Sequence, residues 1–172
     1  LYLNKTVPCS PLITGGSQES GNRAGTENVP GIIGLGEAIR LVKREGKKNS
    51  QKVKEIRDFF ERSLKKRIPD VRINSESIDR LPSISSVIFP DAEGESILLA
   101  LDLKGIAVSP GSACASKDLK PSHVLTAMGV SAKDSQSTIR FSFGKDNTKE
   151  EVIKTIKELS KIIKRLREIS PN

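Results

Sequence analysis

The sequence predicts an α/β protein of the α+β kind, with helices packed on a small, mostly antiparallel sheet. Three observations carry that expectation. Short β-branched runs, VRIN (71–74), ISSVIF (84–89) and STIRFSF (137–143), are set between longer segments with helical apolar spacing. Their order lacks the strict strand–helix alternation of a parallel sheet. The apolar share is 35% with only 3% aromatic residues and no Trp, so the core is built from Ile, Leu, Val and Ala.

Each element has its own reason. LYL at the start reads as the tail of a strand, and the segment TGGSQESGNRAGTEN (14–28) as a Gly-rich loop that can bring backbone close to a ligand or another chain. Asn28 and Pro30 mark a helix start, since Asx side chains cap and Pro fits the first turn. That helix covers GIIGLGEAIRLVKR, and a second reaches Arg67, where Ile68-Pro69-Asp70 breaks it. GESILLALDLKG is a helix ending at Gly105, IAVS (106–109) a strand, and PSHVLTAM (121–128) a short helix. The last helix is the clearest: Thr148 and Glu151 form a capping box, and Val152, Ile156, Leu159, Ile163 and Leu166 follow along one face.

The 172 residues suit one compact domain, or one domain with part of another. No apolar run approaches the ~20 residues of a membrane-spanning helix, and the opening LYLNKTVPCS has neither an initiating Met nor the pattern of a signal peptide. Leu1 is therefore expected to be interior to a longer chain. The formal charge is +8, and residues 40–67 alone hold twelve Lys/Arg against four acids. A solvated helix face explains this most simply, and an acidic protein partner is its better functional use. Nucleic acid ranks last, because no aromatic stacking platform accompanies the charge.

Cys9 and Cys114 lie 105 positions apart and the chain has one His, so no metal-ligand spacing exists. So few cysteines in a chain this long point to a reducing, cytoplasmic setting. Gly31, Gly34 and Gly36 give G-x-x-G-x-G rather than the dinucleotide pattern, and close helix packing explains them better. Cys114 stands in SPGSACASKDLK, among residues too small and polar to bury a thiol, with Lys117 and Lys120 close behind. A thiol reacts as thiolate, which exposure and nearby cations favour; the alternative is an incidental loop residue. Cys9, beside Val7, Pro8 and Leu12, reads as a packing residue. Arg140 lies inside an apolar strand, where a guanidinium either pairs with an internal carboxylate or clamps one from a ligand. His123 has a local structural reading as a turn or cap residue.

Three ordered segments together resemble one family. GGSQESGNRAGTENVPGIIGLGEAI, SPGSACASKDLKPSHVLTAMGV and STIRFSFGKDNTKEEV are similar to segments of the NifS/IscS-type cysteine desulfurases, which are class V aminotransferases dependent on pyridoxal 5'-phosphate. The resemblance implies release of sulfur from L-cysteine, leaving L-alanine. Carried over, Cys114 would attack the substrate sulfur and hold it as a persulfide, and Arg140 would bind the substrate α-carboxylate. Thr26 would hydrogen-bond the cofactor phosphate across a homodimer interface, with Arg23 in the same motif. The SPGSAC spacing implies delivery to iron–sulfur scaffold or tRNA-thiolation partners. Residues 1–29 would end the large cofactor domain and carry its active-site loop, and 30–172 would form the C-terminal small domain of this fold-type I architecture. The H-K-x-x-G-P-K-G segment with the Schiff-base Lys does not occur, nor does the large domain, so the chain resembles the C-terminal part of the enzyme and is expected to be inactive alone. The competing readings are a stand-alone persulfide-carrier or docking domain and another class V enzyme, such as a selenocysteine lyase or an aminotransferase.

Overall fold

The computed structural model describes residues 2–4, 6–111 and 121–169. The elements run in the order α1 (Val29–Arg67), β1 (Arg72–Ile73), β2 (Ile84–Ile88), α2 (Gly94–Asp102), β3 (Ser109–Pro110), α3 (His123–Ala127), α4 (Ala132–Gln136), β4 (Thr138–Ser142) and α5 (Lys149–Ile169). The four strands form one sheet in the order β1-β2-β4-β3, and every pairing is antiparallel. The expected sheet is therefore present.

Two differences from the sequence reading have physical causes. The two helices expected before Arg67 are one, α1: Gly46, Asn49 and Ser50 lie near the join, but a mid-helix Gly costs only ~1 kcal/mol and the flanking Lys, Glu, Arg and Gln residues favour helix. The strand expected at IAVS is displaced to Ser109–Pro110, and α2 stops at Asp102 rather than at Gly105. Gly105 adopts φ +70° and closes a turn in which Ile106 N–H donates to Leu101 O at 3.0 Å. Tyr2 and Leu3 belong to no strand.

The chain divides into two compact units, Leu1–Gly46 and Lys47–Asn172, the division falling within α1. In the first, Ala24 is the only buried apolar residue among those described, whereas Leu12, Ile33 and Val42 are well exposed. Asn28 caps α1 as expected, its Oδ1 accepting from Gly31 N–H at 3.1 Å. A Cβ on Gly34 or Gly36 would meet nothing within 4 Å, so close packing does not account for them among the described residues.

The second unit holds the core. Ile56, Phe60 and Leu64 of α1, Ile97 and Leu101 of α2, and Val152, Ile156, Leu159 and Ile163 of α5 cover one face of the sheet. From the sheet, Ile73, Val87, Ile139 and Phe141 meet them. The α5 stripe matches the expected spacing, and Thr148 and Glu151 make both capping-box hydrogen bonds, at 3.2 and 3.0 Å. Two charged residues of α1, Arg57 and Glu61, are also buried. Glu61 accepts from Arg80 Nη1 and Nη2 at 2.8 and 2.7 Å and from the buried Ser85 hydroxyl at 2.7 Å. The basic stretch of α1 is partly matched by carboxylates, within the helix in the pairs Lys54–Asp58 and Arg57–Asp58 and from beyond β1 in Lys65–Glu76.

Candidate active site

The face of the sheet turned away from that core carries Arg140. Side chains alternate across a strand, and β4 shows it: Ile139 and Phe141 are buried while Arg140 and Ser142 are exposed. In the register, Ser86 of β2 lies directly opposite Arg140 on one side and Ser109 of β3 lies opposite it on the other. Asn74, just past β1, extends the row: its N–H donates to Ser86 O at 2.9 Å and its Nδ2 to Ser86 Oγ at 3.0 Å. A polar row, Asn74–Ser86–Arg140–Ser109, thus crosses the whole sheet.

Arg140 is the one cation in this row. Its guanidinium has no hydrogen-bond or ion-pair partner among the described residues. The internal pairing that a strand arginine invites is not made among the described residues. Arg72 on the same face, by contrast, is taken by Asp134.

The other end of this face is closed. Ile88 and Thr138 are buried there, and α3 and α4 hold the chain on either side of the Cys114 segment. Gly111 N–H donates to Thr138 O at 2.9 Å, and a Cβ on Gly111 would come 2.8 Å from Leu125 Cδ1. Ser122 N–H donates to the Ser135 hydroxyl at 3.2 Å, and both serines are buried. Cys114 lies outside the described residues. Its flanks do not, and both are tied to the segment that leads into β4; Ser109, opposite Arg140, is five positions before the cysteine.

Thr26 and Arg23 belong to the first unit. Thr26 is exposed, with no hydrogen bond from its hydroxyl among the described residues, and the half-buried Arg23 guanidinium donates to Thr26 O. Gly25 between them sits at φ +86°, and its N–H donates to Gln18 Oε1 at 3.1 Å. A free hydroxyl beside a guanidinium on a tight turn suits an anionic oxygen. No group of three or more His, Cys, Asp or Glu able to hold a metal ion occurs among the described residues. No helix among them is long and apolar enough to cross a membrane.

Two further expectations resolve differently. Cys9 is exposed rather than packed, because the segment around it has no apolar core to enter. His123 opens α3 and is exposed, and its side chain makes no capping hydrogen bond among the described residues. Ser86, Ser109 and Asn74 were not singled out by sequence. The only hint was the alternation in ISSVI, which puts Ser86 on the face opposite Val87.

Comparison with known proteins bears on this arrangement. The family model described as aminotransferase class-V matches residues 7–154. The cysteine desulfurase IscS of Dictyoglomus turgidum is 50% identical over 171 residues, covering 99% of this chain and 43% of that protein. A cysteine desulfurase of Gluconacetobacter diazotrophicus is 46% identical with the same coverage. Among solved structures, a NifS-like protein superposes with a TM-score of 0.80 at 35% identity, over 95% of this chain and 41% of that one. A second, from Rickettsia africae, gives 0.73 at 32% identity. The chain spans somewhat less than half the length of the relatives it matches. Over its sheet, its helices and its loop flanks, this protein belongs to the class-V aminotransferase family and is similar there to the NifS/IscS-type enzymes.

Proposed function

We propose that the chain is part of a cysteine desulfurase: it binds the α-carboxylate of L-cysteine on Arg140 and takes the substrate sulfur onto Cys114. The observation that carries this reading is the Arg140 guanidinium. It stands without a partner among the described residues on the open sheet face, directly across from the strand that leads into the Cys114 segment. A planar fork of this kind matches a carboxylate through two parallel N–H···O bonds.

The chemistry balances without an added oxidant. The Cys114 thiolate attacks the substrate sulfur and a sulfur–sulfur bond forms. The carbon–sulfur bond breaks and its electron pair stays on the substrate carbon, which takes a proton to give L-alanine. Pyridoxal 5'-phosphate, when bound, supplies the electron sink that makes this cleavage accessible. Thr26, with Arg23 beside it, would hold the phosphate end. Within this reading, residues 1–29 close a larger cofactor domain and 30–172 form the small domain. The active form is a homodimer in the cytoplasm, and the persulfide passes to an iron–sulfur scaffold or another acceptor protein.

The test pairs the chain with a polypeptide supplying the remaining portion of its relatives, together with L-cysteine and pyridoxal 5'-phosphate. The expected result is alanine formation and a persulfide on Cys114 by mass spectrometry, both absent with Cys114→Ser. Alanine without any adduct on Cys114 would overturn the assignment of the nucleophile.

A further inference from the structure

The geometry points to Ser86 as a second contact for the substrate carboxylate, its hydroxyl turned outward by Asn74 and donating to the anion that Arg140 holds. The inference rests on the carboxylate-binding reading of Arg140 given above.

The register supports it first. Phe143 N–H donates to Ser83 O and Phe89 N–H to Ser137 O, at 2.8 and 2.9 Å. The hydrogen-bonded pairs of β2 and β4 are therefore the odd-numbered ones, and Ser86–Arg140 is a non-hydrogen-bonded pair. Such pairs hold their side chains closest, with Cα atoms ~4.5 Å apart. Ser109 faces Arg140 as a hydrogen-bonded pair of the β3–β4 ladder, since Gly111 N–H reaches Thr138 O in the same register. It is the more distant of the two neighbours, and its hydroxyl is directed at Pro110 O, 3.3 Å away.

The second support is the hydroxyl itself. A serine Oγ has one proton to donate and two lone pairs. The Asn74 amide donates into one lone pair at 3.0 Å, and no acceptor among the described residues takes the proton. Asn74 is itself held, by its N–H bond to Ser86 O and by the turn after β1. The outcome is a half-buried hydroxyl whose donor is uncommitted, beside an uncommitted guanidinium. A carboxylate has about four lone-pair sites, of which a bidentate arginine uses two. Ser86 would fill a third. Asn74 acts through Ser86 and is a positioning residue.

The experiment is an acetate titration of the uniformly nitrogen-15-labelled chain at fixed ionic strength, read on the Arg140 Nε–H and Ser86 amide NMR signals. The unsubstituted chain is expected to show a saturable shift of both, and Arg140→Ala to remove the response of Ser86. Ser86→Ala should weaken binding about tenfold, the equivalent of one charge-assisted hydrogen bond, while Ser86→Thr retains affinity within about threefold. Asn74→Asp should also weaken binding by at least about tenfold, because its carboxylate captures the Ser86 proton and repels the anion. Unchanged amide signals in α5 confirm that each variant is folded. Ser86→Ala binding as tightly as the unsubstituted chain, with Arg140→Ala inactive, overturns the Ser86 assignment and leaves the Arg140 reading standing. No saturable shift in the unsubstituted chain overturns both.

Discussion

Glu61 offers the sharpest energetic test, because one carboxylate there satisfies three donors. It is 6% exposed and holds both arms of Arg80 and the fully buried Ser85 hydroxyl. The side chains of Glu61 and Arg80 are only 8% and 15% exposed, so solvent screens the pair weakly. In Glu61→Ala the Arg80 fork keeps only a 3.4 Å contact to Ile84 O, and Ser85 loses its acceptor. Breaking a buried pair from one side costs about 3–5 kcal/mol, since the remaining charge is left uncompensated. Arg80→Ala should cost a similar amount. The double variant should cost less than the two together, with a coupling energy of about 2–3 kcal/mol. The assay is urea unfolding followed by far-UV circular dichroism, since the chain has no Trp to report by fluorescence. A coupling below about 0.5 kcal/mol, the range of exposed pairs, would refute the buried-pair account.

Three other outcomes follow from the same structure. Arg140→Lys replaces a bidentate fork by a point charge, so kcat/KM for alanine formation in the reconstituted protein should fall roughly 100-fold, with unfolding unchanged. Gly94→Ala should destabilise by about 2 kcal/mol, because its Cβ would lie 2.6 Å from Gln136 O, a backbone atom that cannot swing aside. Hydrogen bonds from Asn147 and the Thr148 N–H hold the Glu151 carboxyl below its usual pKa, so its stabilisation is complete above the unfolded value of about 4.3 and is lost as pH falls through the lower folded value. The Tm difference between the unsubstituted chain and Glu151→Ala should therefore be full at neutral pH and shrink on acidification below pH ~4.

The fold was legible where one residue type decides the matter locally. The Thr148–Glu151 box and the stripe from Val152 to Ile163 needed no tertiary information, and both are present as expected. The sheet was legible as strands but not as an order. Nothing in VRIN or ISSVIF says that β4, far along the chain, enters between β2 and β3. The short helix α4 was missed because five residues are too few to show a period. The join expected between two helices before Arg67 was not real. The segment is one helix, α1, because the helix formers around Gly46 outweigh its weak propensity.

The site shows the same division between side chain and register. Arg140 was identifiable from sequence because a guanidinium in a β-branched run is costly unless it has a purpose. Its neighbours were not, because Ser86 and Ser109 become neighbours only through pairings that bring together residues far apart in sequence. A slip of one residue between β2 and β4 would set Ser85 or Val87 opposite Arg140 and move a whole face across the sheet. What resists that slip lies on the buried side: Val87 and Ile139 packed in the core, and Ser85 fastened to Glu61. Glu61 makes no contact with the polar row, yet its bond to Ser85 fixes the face on which Ser86 must stand. Loss of the Glu61 carboxylate is therefore expected to weaken acetate binding at Arg140 as well as stability, because the core holds β2 in the register from which the site is made.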